Sequence, residues 1–170
     1  MQEIVAGVLD SDVRFLWIAR EDASRLQEGE GSKGLVVPWC DQLKVLCHPS
    51  IGGLWSYCEW NSTKEGAFAG VLMLTFPLKW DQFPNSKHIV ENWKMGWTVR
   101  RNEEILVTRE EISDVLKRFM DLGCDEGKEM RRRTQEIREI CRLATVEGGS
   151  SQLQIKAFIN DITKLHNVRT

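Results

Sequence analysis

The sequence predicts an α/β fold built on a parallel, doubly wound sheet. Short apolar runs of strand length recur through the first hundred residues, and helix-like segments separate several of them. Prolines stop two of the runs, at Pro38 and Pro77, and beyond Thr108 the periodicity is purely helical. Strands that alternate with helices return in the same direction through crossovers, so they pair in parallel.

Residues 2–10 read as a helix with Ile4, Val5, Val8 and Leu9 on one face, broken at Ser11-Asp12. The run 13–19 is a strand, and 20–34, polar with Gly29, Gly31 and Gly34, is a surface loop or short helix. Leu35-Val36-Val37 is a second strand and 51–55 a third. A helix over 62–69, a strand over 71–76, a helix over 81–94 and a strand over 97–99 follow. Thr108-Arg109-Glu110-Glu111 is a capping box, in which hydroxyl and carboxylate satisfy each other's backbone amides. Behind it Ile112, Val115, Leu116, Phe119 and Met120 form a helical stripe. A helix over 126–145 runs toward Gly148-Gly149, and Ser151 to Gln154 caps a last helix with Ile155, Phe158, Ile159, Ile162 and Leu165 on one face.

Composition narrows the function. The 170 residues carry a net charge of −2, far from the basic footprint of a nucleic-acid binder. With 42% hydrophobic and 28% charged residues the chain suits one globular domain rather than a disordered tail. The longest apolar stretch, 70–77, is well short of the roughly 20 residues a membrane helix needs. Five cysteines without paired spacing fit a reducing compartment better than a disulfide framework. No basic-then-apolar signal opens the chain, so the expected location is the cytoplasm. Seven tryptophans accompany a single tyrosine, and four of them lie between Trp39 and Trp80.

Few segments can carry chemistry. Residues 58–65 follow a strand and open a helix, where free amides and the positive dipole end suit a phosphate and Asn61 and Ser62 add donors. Ser62 and Glu65 also fit an ordinary capping box, and the residues alone leave both readings open. Cys40, Cys47, His48 and Cys58 lack paired metal-ligand spacing, so no metal is expected. Arg131-Arg132-Arg133 has acidic partners at Glu129 and Glu136 in helical spacing, which marks a solvated face. His48, His88 and His166 accompany no nucleophile turn.

Trp39-Cys40-Asp41-Gln42, Val45-Leu46-Cys47-His48, Gly52-Gly53, Cys58, Trp60-Asn61-Ser62, Glu65, Gly70-Val71, Pro77 and Asp81-Gln82 fall in a fixed order. This 44-residue stretch, 39–82, resembles the signature box of the plant-type UDP-glycosyltransferases. Residues 13–17, 127–133 and 148–151 resemble the same family, so the likeness covers nearly the whole chain. The resemblance implies a GT-B architecture of two Rossmann-like domains, with residues 1–170 forming part of the C-terminal, nucleotide-sugar-binding one. Its C-terminal helices would span about 108–165.

By position, the resemblance implies that Trp39 stacks on uracil and Cys40 bonds that base through its main chain. Gln42 and Glu65 would hold the ribose hydroxyls, Asn61 and Ser62 the diphosphate, and Trp60, Asp81 and Gln82 the sugar. The implied activity is transfer of a hexose, glucose foremost, from a UDP-sugar co-substrate to a small hydroxylated acceptor such as a flavonoid, without a metal or other cofactor. The family's catalytic histidine and its aspartate partner belong to the N-terminal domain and have no counterpart here. No catalytic residue is therefore assigned in this chain, and the isolated chain is expected to be inactive. The competing expectation is a non-catalytic degenerate fragment or an interaction module.

Tyr57 and Glu59 stand where the box has histidine and glycine, and Asp41 and Leu72 where it has prolines. Tyr57 retains a neutral donor toward the diphosphate. Glu59 is expected to restrict a loop that glycine would free, and to add a charge that repels phosphate by about 4 kcal/mol at about 4 Å and an effective dielectric of about 20. Residue 1 would fall inside the first helix of the C-terminal domain. The strand before that helix is central in a doubly wound sheet, so two unpaired edges are expected in the middle of the core.

Overall fold

The computed structural model describes residues 2–19, 33–99 and 107–167, with side chains through Lys164. In chain order these form α1 (Gln2–Asp10), β1 (Phe15–Ile18), β2 (Gly34–Val37), α2 (Gln42–Leu46), β3 (Gly53–Ser56) and α3 (Trp60–Ala69). There follow β4 (Leu72–Thr75), α4 (Gln82–Lys87) with a π-helical turn over His88–Asn92, β5 (Gly96–Thr98), α5 (Arg109–Met120), α6 (Asp125–Thr145) and α7 (Ser150–Asn167). Most of the predicted 20–34 loop, the side chain of Leu165 and that of His166 lie outside the described residues.

All strand pairs are parallel, as the alternation predicts. The sheet is in two pieces, β1–β2 and β3–β4–β5, with Phe15 opposite Gly34, Gly53 opposite Leu72 and Met73 opposite Gly96. β1 and β3 do not pair. Their facing edges line one cavity of about 740 Å³ together with Ile4 and Val8 of α1 and Leu116 and Phe119 of α5. The expected opening in the core is therefore present.

Burial follows position in the sheet. Every residue of β4 is buried, the pattern of a strand covered on both faces, whereas Ile18 and Leu35 at the other piece are exposed. Val8, Leu72, Leu74, Ile112, Leu116, Phe119 and Met130 form one core that joins α1, α5 and α6 to the sheet. Cys58, Ala67, Met73, Ile89 and Met95 form a second on the other face. α1 approaches α5 through Gly7, where an added Cβ would stand 2.6 Å from Ile112 Cβ. Of the predicted face of α1, Val8 is buried beside Gly7, Ile4 packs half-buried against the same core and Val5 is half-buried, whereas Leu9 is exposed.

The capping box of α5 forms as predicted: Thr108 Oγ1 accepts from the Glu111 amide and Glu111 from the Thr108 amide. Two other start signals are corrected. α3 begins at Trp60, not 62, and no side chain caps it. α7 begins at Ser150, and Gln152 rather than Gln154 reaches back, accepting from the Gly148 amide at 2.8 Å. α2 was not foreseen; Asp41 caps it by accepting from the Lys44 amide at 3.2 Å. Of the arginine run, Arg132 pairs with Glu129 and Glu136, and Arg133 with Glu136 instead of Glu129. Arg131 turns inward and donates to the Asp121 carbonyl at the end of α5 (3.1 Å).

Candidate functional site

The ten candidate residues all follow the carboxyl ends of three parallel strands. Trp39, Cys40 and Gln42 come after β2, Tyr57, Trp60, Asn61, Ser62 and Glu65 after β3, and Asp81 and Gln82 after β4. In a parallel sheet those ends share one rim, which is where open α/β folds bind ligands. β3 and β4 are hydrogen-bonded neighbours, and α2 packs on α3, so the loops that carry these residues meet.

The centre of the rim is a side-chain junction. Gln42 Nε2 donates to Glu65 Oε2 at 2.7 Å and to Ser62 Oγ at 3.1 Å, joining α2 to the first two turns of α3. Ser62 and Glu65 are thus engaged with Gln42 and not in a capping box. The first bond of α3 runs from the Thr63 amide to the Glu59 carbonyl at 2.9 Å. The amides of Trp60, Asn61 and Ser62 therefore have no partner within the helix, and they stand at its positive dipole end. Asn61 is exposed and Ser62 half-buried beside these amides.

The Cys40 thiol is held above its ordinary pKa, first by burial and then by the Asp41 and Glu65 carboxylates, which puts Cys40 in the field of the same junction. Trp39 is 70% exposed, and Tyr57, Trp60 and Trp80 are also exposed, so large aromatic surfaces gather on a polar rim. Tyr57 leans on Phe76 with ring centroids 6.4 Å apart. Lys79 Nζ lies 4.3 Å from the centre of the Trp80 ring.

Backbone conformation corrects the expectation for Glu59. Its φ is −59°, open to any residue, and its side chain is exposed. The left-handed residue of the loop is Cys58, at φ 68°. Cys58 is fully buried, its amide donates to Ser56 Oγ at 2.9 Å, and burial pushes its thiol up to about 11. Glu59 therefore adds a solvated charge but no restriction of the loop, and solvent screens that charge.

Asp81 is exposed at the start of α4, and Gln82 is buried with its Oε1 accepting from the Leu78 and Lys79 amides at 2.8 and 3.1 Å. Gln82 thus holds the turn that presents Asp81. Asn85 was missed by the sequence reading. Its Nδ2 donates to the Cys58 carbonyl at 2.9 Å and to Asp81 Oδ2 at 3.1 Å, tying the loop after β3 to the loop after β4. The i, i+4 spacing of Asp81 and Asn85 was the available signal, but the Cys58 contact spans 27 residues. Among the described residues no three His, Cys, Asp or Glu side chains group as metal ligands, and the cysteines are free thiols.

The chain has relatives among known proteins. UDP-glycosyltransferase 87A1 of Arabidopsis thaliana is 54% identical over 97% of this chain, which spans 38% of that protein. Phloretin 4'-O-glucosyltransferase of Malus domestica is 37% identical over 99% of this chain, again 38% of the relative. Among solved structures, Os79 of O. sativa in complex with UDP matches with a TM-score of 0.86 at 32% identity, over 94% of this chain and 36% of that one. Medicago truncatula UGT71G1 complexed with UDP-glucose matches with a TM-score of 0.81 at 36% identity, over 95% and 36%. The chain therefore spans somewhat more than a third of the proteins it resembles. The family model for UDP-glucoronosyl and UDP-glucosyl transferases matches residues 1–126, and the chain belongs to that family.

Proposed function

We propose that residues 1–170 form the C-terminal, nucleotide-sugar side of a UDP-glycosyltransferase and bind a UDP-sugar at the rim after β2, β3 and β4. The observation that carries this reading is the Gln42–Ser62–Glu65 junction beside the uncapped start of α3. Glu65 has lone pairs to spare for neighbouring ribose hydroxyls while Gln42 fixes its orientation. Three unpaired amides and the Asn61 and Ser62 side chains face the diphosphate. Trp39 supplies a flat exposed surface for uracil, with the Cys40 main chain beside it. Trp60, Asp81 and Gln82 attend the sugar, and Tyr57 offers a neutral donor near the phosphates.

The reaction supported by this site is transfer of a hexose, glucose foremost, to a hydroxyl of a small acceptor such as a flavonoid. Os79 has been crystallised with a trichothecene, and Phytolacca americana UGT2 with UDP-2fluoro-glucose and pterostilbene. Attack of an acceptor hydroxyl on the anomeric carbon needs a base to take its proton. None is assigned within residues 1–170, so this chain alone transfers no sugar. The reading needs no cofactor beyond the UDP-sugar co-substrate and no nucleic-acid partner. No helix among the described residues is long and apolar enough to cross a membrane, and the cytoplasm is the proposed location.

A second reading, a non-catalytic remnant or interaction module, is favoured by Glu59 beside the uncapped start of α3. Calorimetric titration of the chain with UDP separates the two. Saturable binding that weakens about tenfold or more in Glu65→Ala, equivalent to about 1.4 kcal/mol, supports the donor site. Absence of UDP binding at millimolar concentrations, in a chain shown to be folded, overturns it in favour of the remnant.

A further inference from the structure

Asp81 is held twice, once through its backbone and once through its carboxylate. Gln82 fixes the turn before it by accepting from the Leu78 and Lys79 amides, and Trp80 within that turn takes a left-handed φ of 52°. Asp81 stands at the cap position of α4, yet its carboxylate caps no helix amide. Among the described residues the one hydrogen-bond partner of that carboxylate is Asn85, one turn along the helix, whose Nδ2 donates to Oδ2 at 3.1 Å.

The second proton of the same amide goes to another loop. Nδ2 donates at 2.9 Å to the carbonyl of Cys58, a residue with no exposed surface and a left-handed φ of 68°. That carbonyl lies between the end of β3 at Ser56 and the first bond of α3 at Glu59, so neither ladder nor helix uses it. Left alone it would be a buried acceptor without a donor. Carbonyl and carboxylate are both pure acceptors, so only a group with two protons on one atom serves them together. Ser86, next along α4, donates to Thr75 Oγ1 at 2.8 Å, and both hydroxyls bear on the Cys58 thiol. The first turn of α4 thus meets Cys58 at its carbonyl and at its sulfur.

Cys58 leads into the three free amides at the start of α3, and Asp81 is the carboxylate assigned to the sugar. We propose that Asn85 is a positioning residue for the sugar of the donor. It fixes the Asp81 carboxylate relative to the diphosphate end of the site, so that hexose hydroxyls are met at a set distance from the amides of α3. Held by one oxygen, the carboxylate keeps Oδ1 and a lone pair of Oδ2 for two neighbouring hydroxyls. The inference rests on the donor reading above, since Asp81 has a ligand only if a nucleotide-sugar lies at this rim.

Calorimetric titration of the full 170-residue chain with UDP and with UDP-glucose tests it. UDP lacks the sugar, so a change in the ratio of the two dissociation constants reports the sugar contacts. In Asn85→Ala, and in the near-isosteric Asn85→Leu, the ratio should turn against UDP-glucose by about fivefold or more. Cys58 keeps its bonds to Ser56, so UDP affinity itself should change by less than about twofold. Asp81→Ala should shift the ratio in the same way, and adding Asn85→Ala to it should move the ratio no further, the signature of one residue acting through the other. Should the Asn85 variants fail to fold, the side-chain amide signals of Asn85 in the nitrogen–proton spectrum of the unmodified chain decide. UDP-glucose should move them well beyond any movement caused by UDP, and equal movement overturns the proposal. Equal loss of UDP and UDP-glucose binding in the variants marks a merely structural role and overturns it, as do additive losses in the double variant. Normal UDP binding with an unchanged ratio overturns this inference alone. No UDP binding by the folded chain overturns the donor reading, and the role of Asn85 falls with it.

Discussion

Gln42 on α2 and Glu65 on α3 share a hydrogen bond of 2.7 Å across 23 residues of sequence. Gln42 spends both amide protons at this junction, since Ser62 Oγ takes the second. The bond fixes the carboxylate that the donor reading needs. It also makes α2, five residues long, part of the site's scaffold rather than a connector.

Gln42→Ala should therefore lower stability by about 1–2 kcal/mol, the usual worth of such bonds, one of them to a charged group. Urea unfolding should show a lower midpoint with an unchanged slope. An unchanged midpoint would mean that water replaces the amide without loss.

Glu59 acts through charge alone. At φ −59° the residue needs no glycine, so Glu59→Gln should raise UDP affinity as much as Glu59→Gly. The gain should be about tenfold at most, because the side chain is exposed and screened, and it should shrink in high salt. Calorimetry on both variants checks this. A clear advantage for glycine would restore the conformational argument.

Cys58 links the site to pH. Its thiol is pushed up to about 11 by burial, above the ordinary value of 9.0. A folded-state pKa raised in this way gives stability that is full below about pH 9 and is lost as pH rises toward 11. Native chain at pH 8 should be alkylated quickly at exposed Cys47 and not at Cys58. Peptide mapping after brief iodoacetamide treatment tells the two apart, and rapid Cys58 labelling in folded chain would contradict the burial.

Asn85→Ala should release both the Cys58 carbonyl and Asp81 at a cost of about 1–2 kcal/mol. Faster amide exchange in both loops, 57–61 and 78–82, is the expected signature. Faster exchange in only one loop would show that Asn85 does not couple them.

α7 presents Leu153, Ile155, Phe158, Ile159 and Ile162 to solvent, each more than half exposed. Phe158→Lys should raise solubility and lessen aggregation, since it breaks an apolar patch, while changing the melting temperature by no more than about 2 °C. Light scattering and a thermal melt give the two numbers. A large fall in melting temperature would show that this face packs within the chain.

The sequence by itself determined the elements whose signal is local. Strand runs closed by Pro38 and Pro77, and the Thr108–Glu111 box with its stripe behind it, depend on neighbouring residues, so they were legible without coordinates. The order of residues 39–82 likewise carried the family.

Tertiary structure decided which partner each polar group takes. Ser62 and Glu65 have the spacing of a cap, yet Gln42 claims both, because α2 packs against α3 and brings a side-chain amide within reach. The left-handed angle fell on Cys58 rather than Glu59, because the turn after β3 places Cys58 where its side chain is buried and its amide meets Ser56. Asn85 acquired its role from a contact 27 residues away.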